Sequence, residues 1–137
     1  MLELIYEDVA IALKKIRNIT LYLEDVPQGF RSPCFMVTIY DQNPSRGING
    51  RMKNSVYLDV HYFPLNESGT ESYEECWAVS EDLALLFDLN RFKIRDRNFK
   101  ITDNVLHFQF RIDYREFINT HEVKMQEMEQ NTGLKGE

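Results

Sequence analysis

Residues 104–117 have the sequence NVLHFQFRIDYREF, which is the clearest strand pattern in the chain. Apolar and polar side chains alternate there, as expected of a strand with one buried face. The apolar set is Leu106, Phe108, Phe110, Ile112 and Tyr114. The polar set is His107, Gln109, Arg111, Asp113 and Arg115. This alternation predicts a sheet with one face against a hydrophobic core.

Further strands are predicted on the N-terminal side of this segment. Their positions, in chain order, are 19–23, 34–40, 52–63, 90–95 and 98–102. The stretch 41–51 is polar and rich in turn-forming residues, and it is longer than a tight hairpin turn. We therefore expect a protruding, mobile loop between the second and third strands.

Two amphipathic helices are predicted, at 2–17 and 73–88, from apolar residues at helical spacing. In the second helix the predicted buried face comprises Tyr73, Cys76, Trp77, Leu83, Ala84 and Phe87. Consecutive strands joined by short loops favour antiparallel pairing. We therefore predict an α+β fold, with a mainly antiparallel sheet of about four to five strands and two helices packed on one face.

The chain has 137 residues, a length typical of one domain. We predict a single α+β domain at 1–117 and a flexible, polar C-terminal tail at 118–137, of a composition typical of segments that order on a partner. No apolar run approaches the ~20 residues of a membrane span. The N-terminus lacks a signal-peptide pattern, so we expect an intracellular protein without a membrane partner.

Charge is distributed unevenly along the chain. The net charge of −6 disfavours a general nucleic-acid binder, so no specific nucleic-acid partner is expected. Residues 31–63 have a net charge of +2, residues 64–90 contain seven acids and no base, and residues 91–115 have a net charge of +4. Two interpretations stay open: a solvated surface, or an acidic face that meets the basic face of a neighbouring subunit.

No catalytic constellation is evident in the sequence, and we expect no enzyme activity and no cofactor. The histidines His61, His107 and His121 lack metal-ligand spacing, so no metal site is predicted. Both cysteines, Cys34 and Cys76, are interpreted as small buried hydrophobes. The pair Glu74–Glu75 is interpreted as part of a solvated helix face.

Aromatic residues outside the main apolar faces have two interpretations each. Tyr57 and Phe63 lie on the second face of their strand, where a helix or loop could cover them or single-stranded nucleic acid could stack. Gly29 is expected to adopt a positive φ in the loop 27–33. Phe30 in that loop either fills the core or packs on a second subunit.

Two segments resemble a known family. Residues 22–37, YLEDVPQGFRSPCFMV, resemble the E-x-x-x-Q-G-F-x-x-P-C-F signature of small bacteriophage and prophage tail terminator proteins. Residues 56–64, VYLDVHYFP, are similar to their F-x-I-x-Y-F-P strand. The segments 75–83 and 105–108 keep the same order, so the resemblance covers about residues 1–117.

The resemblance implies a structural assembly protein of a virion or tail-like particle. Such proteins form a homohexameric ring that caps the head-proximal end of the tail tube, ends tube polymerisation and forms the junction to neck proteins. The implied partners are further copies of the chain, the tail tube protein, sheath protein, and neck or head-completion proteins. The implied location is the host bacterial cytoplasm during assembly, and then the virion or tail-like particle.

The expected contacts with the tube or a neighbouring subunit lie in two loops. They are Arg46, Ile48, Asn49, Arg51 and Lys53, together with Phe30 and Arg31. Two alternatives stay open: a head-completion or neck ring protein, and a small nucleic-acid-binding α+β module. Salt-sensitive binding to oligonucleotides would favour the second alternative.

Overall fold

The computed structural model describes residues 1–47, 50–66 and 68–117, except for the side chains of 116 and 117. The predicted α+β class is confirmed. The helices are α1 (Leu2–Ile16) and α2 (Gly69–Leu86). The strands are β1 (Thr20–Leu23), β2 (Cys34–Arg46), β3 (Arg51–Phe63), β4 (Lys93–Thr102) and β5 (Val105–Phe117). The described strands form one sheet in the order β1-β2-β3-β5-β4.

The chain divides into two compact units. The first contains Met1–Gln42 and Ser55–Asp113, and therefore both helices and most of the sheet. The described residues of the second are 43–47, 50–54 and 114–117. The predicted tail at 118–137 lies outside the described residues, and a domain boundary at 117 stays a prediction.

The sheet is mostly antiparallel, as predicted. Strand β4 pairs antiparallel with β5, for example Ile94 with Ile112 and Phe99 with Phe108. An irregularity in the register separates Arg95 from Asn98. The two short pieces predicted at 90–95 and 98–102 are therefore one strand with a local bulge.

Strand β1 pairs parallel with β2, because the intervening loop returns the chain to the same end of the sheet. Glu24 begins the loop with a φ of 69°, and its N–H donates to the Val37 carbonyl at 2.7 Å. Its carboxylate accepts from the Tyr6 hydroxyl and from the Ile39 N–H. Gly29 has a φ of 77°, which confirms the predicted positive φ. The contacts of Glu24 therefore fix the beginning of a loop that has no regular structure.

The hydrophobic core lies between the helices and one face of the sheet. The predicted apolar face of β3 is buried, and so is that of β5 except for the half-buried Tyr114. Phe87 after α2 packs on Phe108 and Phe110 at centroid distances of 5.2 and 5.4 Å. The strand residues of this core include Phe35, Val37, Val56, Leu58, Val60, Leu106, Phe108, Phe110 and Ile112. The helices contribute Ile5, Val9, Leu13, Cys76, Val79 and Leu83. Two helices on one face are thus confirmed.

The buried stripe of α2 differs from the predicted one. The buried residues of the helix are Ser72, Cys76, Val79 and Leu83. Tyr73 and Trp77 were predicted to be buried with Cys76, but their exposed fractions are 52% and 53%. Each follows a buried residue by one position, a rotation of about 100° around the helix axis. The prediction was therefore wrong for these two aromatic residues, and also for the exposed Ala84.

Hydrogen bonds of Glu75 fix this rotational setting of α2. Its Oε2 accepts from the Tyr62 hydroxyl at 2.7 Å and from the Leu65 N–H at 2.6 Å. Its Oε1 accepts from the backbone and side-chain N–H groups of Asn66 at 3.0 and 2.9 Å. The carboxylate therefore joins the end of β3, the following loop and α2. Its interpretation as part of a solvated face was wrong.

These contacts also set the ionisation of Glu75. Burial raises the pKa of Glu75, but hydrogen bonds from Asn66, Tyr62 and Leu65 outweigh it and hold the pKa below its usual value. A lowered pKa in the folded state means that ionised Glu75 stabilises the fold above its unfolded pKa, about 4.3. The stabilisation is lost as the pH falls through the lower, folded pKa.

Replacing Glu75 by Gln is expected to lower the free energy of unfolding at neutral pH by about 1–2 kcal/mol, because a charged acceptor of four hydrogen bonds is lost. The difference from wild type should shrink as the pH falls below about 4.3. Urea denaturation across this pH range measures both effects. The matched control is Glu74→Gln, at an exposed neighbouring position. Equal effects of the two substitutions would contradict the assigned role of Glu75.

Candidate assembly surfaces

The β2–β3 hairpin ends in a basic tip, which we define as residues 43–54. Predicted residues Arg46, Arg51 and Lys53 are exposed there, and the tip contains no acidic residue. The predicted loop at 41–51 was too long, because β2 continues to Arg46 and β3 begins at Arg51. The Gly47 N–H donates to the Arg51 carbonyl at 2.7 Å, which closes the hairpin. Ile48 and Asn49 lie outside the described residues.

The other two predicted contact residues lie in the loop between β1 and β2. Arg31 is exposed, and Phe30 is half-buried. The Phe30 ring packs edge-on against Phe63, with a centroid distance of 4.8 Å. Phe63 lies on the sheet face opposite the main core, so this loop covers part of the second face. For Phe63 this agrees with the interpretation that a helix or loop covers the ring.

An aromatic surface rimmed by carboxylates lies on the exposed side of α2. We call it the α2 patch and define it as Tyr73, Glu74, Trp77, Ala78 and Glu81, which line one shallow pocket. The two aromatic rings stack, with centroids 6.1 Å apart and an interplanar angle of 26°. Large aromatic side chains exposed together are typical of protein interaction sites. Sequence reasoning missed the patch because it assigned both rings to the core.

The α2 patch is acidic because it lies in the most acidic segment of the chain, residues 64–90. Residues 64–90 contain seven acids and no base. Glu75 is engaged by Tyr62 and the adjacent loop, and Asp82 forms an ion pair with Arg17. Glu74 and Glu81 are exposed and border the aromatic rings. The patch therefore combines aromatic faces with two carboxylates.

Ion pairs reduce the charge that residues 91–115 offer to a partner. Their acidic partners include both residues of the same segment and residues of α1. The pairs are Arg91 with Glu7 at 2.9 Å, Arg111 with Asp96 at 2.6 Å, and Arg95 with Asp113 at 3.4 Å. The hairpin tip has three bases and no acid among its own residues, which gives it a net charge of +3.

The second sheet face brings Asp59, His61 and His107 together. His61 Nε2 and His107 Nδ1 each lie 3.2 Å from Asp59 Oδ2. The two imidazole centroids are 4.4 Å apart. The sequence analysis predicted no metal site here, because the histidines lack metal-ligand spacing along the chain. The spacing Asp59-x-His61 on one strand was the signal available in the sequence.

A family model of phage tail terminator proteins matches residues 4–124. The chain belongs to this family. The match confirms the resemblance seen in the sequence and extends seven residues past the predicted boundary at 117. A search of curated proteins found no match.

Membership of the tail terminator family establishes a structural role in phage tail assembly. It also implies interaction with other tail components and a place in the virion or tail particle. Neither described helix has the length and apolar content needed to cross a membrane. The hairpin tip and the α2 patch are the candidate surfaces of this terminator for contacts with other tail components.

The exposure of Trp77 predicts that this residue contributes little to folding. We expect Trp77→Ala to change the free energy of unfolding by less than about 1 kcal/mol, as at other exposed positions. Leu83→Ala, in the buried stripe of the same helix, should lower it by about 2–5 kcal/mol. Urea denaturation of both variants measures the difference. A loss at Trp77 as large as that at Leu83 would place the indole in the core and remove the α2 patch.

Proposed function

We propose that this terminator forms a homohexameric ring that caps the head-proximal end of the tail tube. The cap ends tube polymerisation and forms the junction to neck proteins. Family membership supports a role in tail assembly. The observation that carries the proposal is the presence of two different exposed surfaces, the basic hairpin tip and the acidic α2 patch, on one chain. When one of these surfaces binds the other on the next chain, the contact is head-to-tail. Repeated head-to-tail contacts generate a ring if the rotation from one subunit to the next closes.

The proposed subunit contact joins the hairpin tip of one chain to the α2 patch of the next. Arginine guanidinium groups stack on aromatic faces and bind carboxylates through paired hydrogen bonds. Arg46 and Arg51 of the tip provide such groups, and Trp77 with Glu74 and Glu81 provides the complementary surface. Opposite charges at the two surfaces would also disfavour tip-to-tip and patch-to-patch contacts.

The tail tube is the second partner in this proposal. Arg46, Ile48, Asn49, Arg51 and Lys53 form the contact with the tube end or the neighbouring subunit. Phe30 and Arg31 lie in a second loop that contributes to the same assembly. Sheath protein joins these partners in a contractile tail, and neck or head-completion proteins bind the opposite side of the ring.

The proposed role requires no catalysis and no cofactor. Members of the family act as structural proteins. In this proposal the chain assembles onto tails in the host bacterial cytoplasm and then remains in the virion or tail-like particle.

Reversing the charge of the tip should abolish capping. We expect Arg46→Glu with Arg51→Glu to give tubes of irregular length with bare ends, while wild type gives uniform tubes with added density at one end. Negative-stain microscopy of tubes assembled with each protein measures this. The control, Lys93→Glu with Arg97→Glu, makes the same change in net charge at exposed positions of β4.

Two outcomes would contradict this proposal. Uniform, capped tubes with the tip variant would show that the tip does not contact the tube or a neighbouring subunit. Irregular tubes with bare ends in the presence of wild type would instead favour a head-completion or neck protein.

A charge exchange tests the subunit contact directly. Glu74→Arg with Glu81→Arg should disrupt the ring on its own, because like charges then face each other. Combining it with the tip variant should restore capping of tubes, since the two surfaces then have opposite charges again, with the signs exchanged. Failure of the combined variant to cap tubes, when every variant is folded by circular dichroism, would argue against contact between tip and patch.

A further inference from the structure

Three metal-binding side chains converge on the sheet face opposite the helices. Asp59 and His61 are two residues apart on β3 and therefore project from the same face. His107 projects beside them from β5, the neighbouring strand. Each residue offers one ligand atom, and these atoms all lie within 4.8 Å of one another. We propose that Asp59, His61 and His107 form a binding site for a divalent transition-metal ion of the zinc class.

The distances suit a tetrahedral site. Asp59 Oδ2 lies 3.2 Å from His61 Nε2 and 3.2 Å from His107 Nδ1. Bonds of about 2.0–2.1 Å from zinc to nitrogen and oxygen place tetrahedral ligand atoms about 3.3 Å apart. The two distances involving Asp59 therefore match a coordinated geometry closely. The two imidazole nitrogens lie within 4.8 Å of each other, and rotation of the rings would bring them to the coordinated separation.

The donor atoms favour zinc-class ions over calcium or magnesium. Two imidazole nitrogens and one carboxylate oxygen suit Zn²⁺ and Co²⁺, whereas Ca²⁺ and Mg²⁺ prefer oxygen ligands throughout. Three protein ligands leave the fourth position to water or to a donor from another molecule. Coordination uses the lone pair of each facing nitrogen, so any proton there moves to the other ring nitrogen or to solvent.

The second carboxylate oxygen of Asp59 provides an independent indication that a cation binds here. Asp59 Oδ1 is buried and has no hydrogen-bond partner among the described residues. A buried oxygen without a partner costs free energy, and a cation bound to the same carboxylate would offset part of that cost by its charge.

The surrounding sheet holds the three ligands in place. The preceding or following residues Leu58, Val60, Leu106 and Phe108 are fully or almost fully buried on the opposite face. Gln109 donates to Asp59 Oδ2 at 3.3 Å and orients the carboxylate. The side chains of Asp59, His61 and His107 are 13%, 18% and 19% exposed, so an ion can reach them while water is partly excluded. Metal binding here is independent of ring formation, since one chain provides all three ligands.

The test uses the full-length chain after removal of metal with a chelator. Calorimetric titration with Zn²⁺ should give one site per chain, and Co²⁺ should give the intense visible absorption of tetrahedral coordination. Binding to the folded state should also raise the melting temperature. Asp59→Asn and His107→Gln should abolish site-specific binding. Gln109→Leu should weaken it by about tenfold to a hundredfold, because it removes an outer partner of the carboxylate.

The matched control for Asp59→Asn is Asp41→Asn, at an exposed aspartate that accepts from the Gln42 N–H. This control should bind zinc like wild type. Absence of saturable binding by wild type would overturn the proposal whether or not the variants fold. Zinc binding by folded His107→Gln that equals wild type, or an octahedral Co²⁺ spectrum in wild type, would also overturn it.

Discussion

The aromatic packing around Phe108 is the interaction on which the rest of the structure depends. Its ring stacks on Phe99 at 4.5 Å and packs against Phe87 and Phe110 at 5.2 and 4.9 Å. These contacts join β5 to its neighbour β4 and to the segment after α2. They also fix which face of β5 is buried. Because side chains alternate along a strand, the same packing places His107 on the opposite face.

The half-buried carboxylate of Glu75 has a comparable effect on the helical layer. Its hydrogen bonds to Tyr62, Leu65 and Asn66 hold one side of α2 against the end of β3. With that side fixed, the rings of Tyr73 and Trp77 point outward. The surface proposed for subunit contact therefore depends on this polar interaction as well as on the buried stripe of Cys76, Val79 and Leu83.

Most of the fold was predictable from the sequence, whereas the candidate sites were predictable only in part. The alternation in β3 and β5 indicated their buried faces correctly, because burial selects every second residue. The basic residues Arg46, Arg51 and Lys53 were found from charge and loop composition, but the extent of the hairpin was not. Polar residues 41–46 continue β2 because backbone pairing does not require apolar side chains. The parallel pairing of β1 with β2 was not predicted, because it depends on the path of the loop between these two strands.

The sequence by itself determined the fold class, the order of helices and strands, and membership of the tail terminator family. These properties are encoded in local periodicity and in motifs of adjacent residues. Only the tertiary structure decided the exposure of Trp77, the hydrogen bonding of Glu75, and the meeting of Asp59 and His61 with His107. Each depends on which residues from distant parts of the chain become neighbours. Pairing of strands and packing of helices determine that proximity, and spacing along the chain does not encode it.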